Sequence, residues 1–323
     1  MSITPDYDNF LLELKANQTE KEHYQNQIRM MYLVTYGIVL VLGLTLNFIL
    51  MFVGWQKYKS YKKIAIWVLA LSATHLIFCG AVVFQLLYAY YEFVWYYGTV
   101  TCKLSSYITY GSMYSTASIL GLWSISSAFS KSACIKRSKN CYIFLILFSW
   151  TLAAVLAMPS LFSREVQLVQ CVDDYDFEDF KTTPDAIKKL KAVVVSRFLF
   201  GLVIPAFVMF VSCCVASKSF HNRCIQCKKQ TQIICAVKVT YFVCWGPQIV
   251  LTLLQATTNN LHPNAFKYGL PTATALATTH CFMCPLIYIL GECSIKMHWM
   301  THDPEYIEER ADQTIHLVNK SSA

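Results

Sequence analysis

The residues best placed to do chemistry are cysteines, clustered carboxylates and one Asn-x-Thr triplet. There are 14 Cys in 323 residues. Cys224 and Cys227 form a Cys-x-x-Cys pair, half of a zinc site by spacing, but no second pair or His cluster stands where it would complete one. We expect no metal there and no cofactor; small reduced thiols or reversible acylation are the readings left. Asp173, Asp174, Asp176, Glu178 and Asp179 crowd beside Cys171, and Asp6 and Asp8 flank Tyr7. Such runs attract a basic partner or simply solvate a surface, and a Tyr between carboxylates is a candidate for sulfation. Asn17-Gln18-Thr19 is an N-glycosylation sequon. No paired carboxylates, metal triad or activated nucleophile appear in the apolar stretches, so an enzyme is not expected.

The elements that must carry these residues are membrane helices. Hydrophobic residues make up 55% of the chain and charged ones 14%, too few to cover a soluble globule of this size. Mean hydropathy is +0.41. Seven stretches have the length of a bilayer crossing: Met30–Gly54, Ile64–Tyr91, Cys102–Ser130, Cys141–Phe162, Ala192–Ser217, Gln232–Ala256 and Phe266–Leu290. The third is rich in Ser, Thr and Tyr, so it belongs in the middle of the bundle, where hydroxyls meet other helices. The expected fold is an all-α seven-helix bundle over 30–290, with an N-terminal segment 1–29 and a tail 291–323.

Charge sets the expected orientation. Lys57, Lys59, Lys62 and Lys63 follow the first span; Lys131, Lys136, Arg137 and Lys139 follow the third; Lys218, Arg223, Lys228 and Lys229 follow the fifth. Basic loops face the cytoplasm, which puts the N-terminus outside and the tail inside. The net +8 is then a topology signal, and nucleic acid is not an expected partner. Cys102 and Cys171 both fall on the oxidising side and can pair. Pro205, Pro247 and Pro285 lie inside apolar spans, where each removes a helical hydrogen bond and can act as a hinge.

Several short runs carry a resemblance. Ala277-Thr278-Thr279-His280-Cys281 leads into Pro285-Leu286-Ile287-Tyr288; Cys244-Trp245-Gly246-Pro247 lies in span six; Trp95-Tyr96-Tyr97-Gly98 precedes Cys102; Asn47, Trp150, Pro159 and Pro205 stand in spans one, four and five. In this order they resemble the rhodopsin-like (class A) G-protein-coupled receptors, and among these the chemokine receptors, over nearly the whole chain. The chain is also similar to herpesvirus-encoded chemokine-receptor homologues. The resemblance implies a plasma-membrane receptor for a chemokine or similar basic peptide. Asp6, Tyr7, Asp8, Trp95, Asp173, Asp174, Asp176, Glu178 and Asp179 would meet ligand. Trp245, Pro247, Pro205, Pro285 and Tyr288 would form the switch. Ser126, Ser127, Lys136, Arg137, Arg223, Lys228 and Lys229 would face a heterotrimeric G protein. Asn17 would be glycosylated.

The departures from that family are as informative. Ser126-Ser127-Ala128 stands where the family has Asp-Arg-Tyr. His75 replaces the span-two Asp that binds sodium, Cys284 replaces the Asn before Pro285, Cys213 a span-five Tyr, and Thr274 a Glu. The conventional activation relay is therefore absent or rebuilt, and a decoy that internalises ligand without G protein is the alternative. A small transporter would call for internal repeats or charged span centres, and a retinal pigment for a Lys within span seven.

Overall fold

The computed structural model describes residues 5–57, 62–128, 139–167, 169–173, 184–218, 225–258 and 266–302. The helices are α1 (Pro5–Lys57), α2 (Lys62–Tyr90), α3 (Gly98–Ala128), α4 (Lys139–Ala157), α5 (Pro159–Ser163), α6 (Pro184–Phe198), α7 (Ile204–Lys218), α8 (Ile225–Thr257) and α9 (Gly269–His302). A π-turn, Leu199–Val203, joins α6 to α7 in one rod, so the crossings are α1, α2, α3, α4–α5, α6–α7, α8 and α9. Six of the seven are apolar enough to cross a membrane by composition alone. The exception is α3, and its burial explains this. Ser105, Ser106, Ser112, Ser115, Thr116, Ser124 and Ser126 are all buried on it, packed against α2, α4 and α7. The perimeter is apolar instead, with Phe52, Phe207 and Phe210 each about two-thirds exposed where lipid would lie.

Helix α1 runs without a break through position 30. From Pro5 to Gly37 it holds no Gly or further Pro, and Pro at a first helical turn has no N–H to lose. Side-chain pairs one turn apart support its polar part: Gln18 Nε2 donates to Glu22 Oε1 at 3.1 Å, and Thr19 Oγ1 to the Lys15 carbonyl at 2.9 Å. The sequence had marked a segment there, not a helix. A second unforeseen element is a hairpin, β1 (Arg164–Gln167) with β2 (Gln170–Asp173), antiparallel with Val166 opposite Cys171. Cys102 at the start of α3 is bonded to Cys171, with Cα atoms 5.7 Å apart, and this ties the hairpin to the bundle.

Prolines create the sharpest packing demand. Pro285 cannot donate to the Cys281 carbonyl four residues back, and Pro205 cannot donate to that of Gly201. Neighbouring helices fill both gaps. Asn47 Nδ2 on α1 donates to the Cys281 carbonyl at 2.8 Å and to the Gly43 carbonyl at 2.8 Å. Tyr241 on α8 donates its hydroxyl to the Gly201 carbonyl at 2.7 Å. Gly43 makes the first contact reachable: a Cβ there would sit 2.9 Å from Cys79 Sγ and 3.2 Å from Cys281 Sγ. At the end of the bundle away from the disulfide, Trp67 stacks on Trp123 with Tyr142 edge-on, joining α2, α3 and α4.

Asn47→Ala strands the Cys281 carbonyl and the His75 imidazole, while Tyr241→Phe strands one carbonyl. The expected losses are about 2 kcal/mol for the first and about 1 kcal/mol for the second. Thermal unfolding of the purified variants checks both the losses and their order. Cys171→Ser opens a long covalent loop and should cost about 2–4 kcal/mol, read in the same assay without and with a reductant, which should no longer change the variant's melting.

Candidate ligand cavity

A cavity of about 210 Å³ opens between the helices beneath the hairpin. Three tyrosines wall it from α1 and α2, Tyr32, Tyr36 and Tyr88, with Ser106, Thr109 and Tyr110 from α3 on the other side. Trp245 and Gln248 of α8 and Thr274 and Thr278 of α9 close the remaining wall. Among the described residues lining it, one is charged: Arg164, the first residue of β1. Its Nη1 donates to the Cys171 carbonyl at 3.2 Å, so the guanidinium is positioned by the disulfide-tethered strand. A second cation lies one layer behind: Arg197 of α6 is buried and packs 3.6 Å from the centre of the Tyr110 ring. The wall is therefore aromatic and hydroxylated with a cationic accent, and it suits an anionic or hydrogen-bonding group.

The rim is braced by α1. Arg29 donates to the Glu92 carboxylate at 2.8 Å and to the Ala89 and Tyr90 carbonyls, pinning the turn after α2, where Glu92 and Phe93 adopt φ of 57° and 64°. On the other side, Lys267 pairs with Glu20 at 3.2 Å and lies 4.9 Å from the Tyr24 ring centre, while the Tyr24 hydroxyl donates to the Lys267 carbonyl. The hydrogen bond to Glu20 holds the Lys267 ammonium above the ordinary lysine range. Trp95 is buried rather than presented. Its backbone N–H donates to the Val169 carbonyl at 2.7 Å and its indole to Gly98 at 2.9 Å. Gly98 takes φ of 74°, a conformation that favours glycine. Trp95 reaches the cavity wall but mainly packs the hairpin turn against Tyr88 and Tyr97.

Of the switch residues, Trp245 forms part of the cavity floor and touches His280, with ring centres 5.3 Å apart. Pro247 and Pro285 lie inside α8 and α9, and Pro205 is the second residue of α7, just past the π-turn. Tyr288 lines a smaller, deeper cavity. Ser126 is buried and Ser127 half-buried, its hydroxyl donating to the Trp123 carbonyl at 2.8 Å within its own helix. Asp6, Tyr7, Asp8 and Asn17 fall on α1, Asp173 on β2, and Lys228 and Lys229 on α8, by backbone position. Asp174, Asp176, Glu178, Asp179, Lys136, Arg137 and Arg223 lie outside the described residues. The sequence did not single out Arg164 or the tyrosine wall. An Arg just past span four carries no periodic signal; only the strand pairing aims it inward.

Comparison with known proteins agrees with this architecture. Residues 46–288 match the family described as 7 transmembrane receptor (rhodopsin family). The chain is 26% identical over 281 residues to chemerin-like receptor 1 of Homo sapiens, covering 81% of this chain and 74% of that one. It is 25% identical over 299 residues to chemerin-like receptor 2 of Rattus norvegicus, covering 88% and 83%. It is 24% identical over 302 residues to the C3a anaphylatoxin chemotactic receptor of Danio rerio, covering 89% and 81%. With the seven crossings, the disulfide-tethered hairpin and a family match over three-quarters of its length, the chain belongs to the rhodopsin family of seven-transmembrane receptors and is a multi-pass plasma-membrane protein.

Proposed function

We propose that this receptor takes a peptide ligand with a basic body, one end of which enters the cavity and offers an anionic group, such as a terminal carboxylate, to Arg164. The observation that carries this is Arg164, the one charged residue among the described residues of the cavity wall, held by the disulfide-linked hairpin. The acidic runs at Asp6–Asp8 and Asp173–Asp179, on the side the basic loops mark as extracellular, support the basic body. Relatives named for chemerin and for the C3a anaphylatoxin support a peptide ligand in general, of which a chemokine is one class. Ligand would bias the helix arrangement only by its difference in affinity for the two states, with Trp245 on the cavity floor as the contact.

A heterotrimeric G protein is the proposed transducer, met through the basic loops and the Ser126-Ser127 end of α3. A second reading rests on Ser127: its hydroxyl is spent on its own helix, and position 127 itself carries no charge to meet a transducer. A decoy that carries ligand inward without G protein fits that chemistry.

Labelled basic peptides with a free or an amidated C-terminus, applied to cells expressing the chain, test the ligand. Arg164→Gln should weaken the free-acid peptide about 10- to 100-fold and leave the amide nearly unchanged; equal loss for both would sink the anionic contact. G-protein activation read in the same cells separates the two readings. Binding with activation is expected, and binding with uptake alone would favour the decoy.

A further inference from the structure

Lys and Arg are rare inside the spans, and their depth sorts them. Lys103 and Lys267 stand at the outer ends of spans three and seven. Arg197 lies in the outer half of span five and packs on the Tyr110 ring. Lys238 is the one Lys or Arg in the inner half of any span, on the side that the basic loops mark as cytoplasmic. It comes six residues after Gln232, where span six begins. That is about 9 Å of helix. Its neighbours on α8 fix its direction. Val237 and Tyr241 are buried, while Val239 and Val243 are more than half exposed. Lys238, itself half-buried, sits on the flank between the core face and the lipid face.

An ammonium at that depth calls for a counter-charge. No Asp or Glu occurs in the seven spans. The ion pairs among the described residues are Arg29–Glu92, Lys188–Asp185 and Lys267–Glu20, and none involves Lys238. The titratable groups that face it there are thiols: Cys213 across on α7 and Cys235 on its own helix. A thiol is a weak hydrogen-bond partner and does not balance a cation. Both thiols are exposed, so this furrow between α7 and α8 opens at the surface of the bundle. A four-carbon stem lets the ammonium reach toward the inner interface while its methylenes stay in the apolar furrow. The charged groups that meet it at that level are lipid phosphates. The basic loop after span five, with Lys218, Arg223, Lys228 and Lys229, draws anionic lipid to the same edge.

We propose that Lys238 holds the phosphate of an anionic inner-leaflet phospholipid in the furrow between α7 and α8. These are the helices that carry Pro205 and Pro247. A lipid that fits one arrangement of their inner ends better than another shifts the receptor toward that arrangement, by its difference in affinity for the two. The proposal does not depend on which peptide the receptor takes.

The test uses the full-length receptor in nanodiscs of phosphatidylcholine alone or with added phosphatidylserine, at equal ionic strength. The wild type should melt higher with phosphatidylserine, and native mass spectrometry should find that lipid retained on it. Lys238→Gln removes a charge from an apolar span and should fold. It should bind phosphatidylserine about tenfold more weakly, the size of one charge-assisted hydrogen bond, and lose most of the gain in melting temperature. Lys238→Arg should keep both. Inorganic phosphate added to the phosphatidylcholine discs should not stabilise the wild type. Equal retention by the wild type and Lys238→Gln, a loss confined to a Lys228→Gln, Lys229→Gln loop variant, or stabilisation by inorganic phosphate alone overturns the proposal.

Discussion

In a bilayer there is no water to satisfy a stranded carbonyl, and every proline inside a span strands one. That constraint organises the bundle. The Cys281 carbonyl, which Pro285 cannot reach, is taken by Asn47 from α1; the Gly201 carbonyl, which Pro205 cannot reach, is taken by Tyr241 from α8. Each of these two repairs comes from a different helix, so Pro285 and Pro205, which could each loosen one helix, instead bind two together. Gly43 lets α1 approach closely enough for the first repair. At the π-turn before Pro205, Gly201 leaves no room for a side chain: a Cβ there would sit 3.0 Å from Met113 Cε and 3.3 Å from Ile249 Cδ1.

The same economy explains α3. A helix surrounded by others needs no apolar coat, and its serines and threonines are buried against α2, α4 and α7 or bonded back to their own turns. The lipid-facing helices show the reverse pattern, with large apolar side chains outward. Low hydropathy in one span is thus a mark of central position.

At the cavity end, stiffness comes from cross-links between unlike elements. The disulfide fixes the hairpin to α3, Trp95 fixes the hairpin turn to the start of α3, and Arg29 and Lys267 brace the long α1 against its neighbours on both sides. A strand held at so many points can keep a guanidinium aimed into an aromatic cavity. At the opposite end the serines of α3 hold no charge, and whatever partner docks there meets a surface of different chemistry from the Asp-Arg-Tyr pattern of the resembling receptors.

The number of the spans, the central place of α3 and the Cys102–Cys171 pairing could be read from sequence because each rests on composition, period or compartment, which are local or additive properties; the helix ends could not, since α1 continues unbroken to Pro5. That Ser126, Ser127 and His75 stand where the resembling receptors carry charged residues could also be read, since residue types are visible in the sequence. Other features depend on pairs distant in the chain. That Arg164 enters the cavity follows from its strand lying across from Cys171 and Asp173; that Trp95 is buried follows from the hairpin turn reaching back to it. That His75 and His280 share a centre follows from α2 and α9 meeting across Asn47. Sequence alone determined which residues must leave water, because transfer energy belongs to the residue. Tertiary structure decided which polar groups meet once they have left it, because a hydrogen bond belongs to a pair.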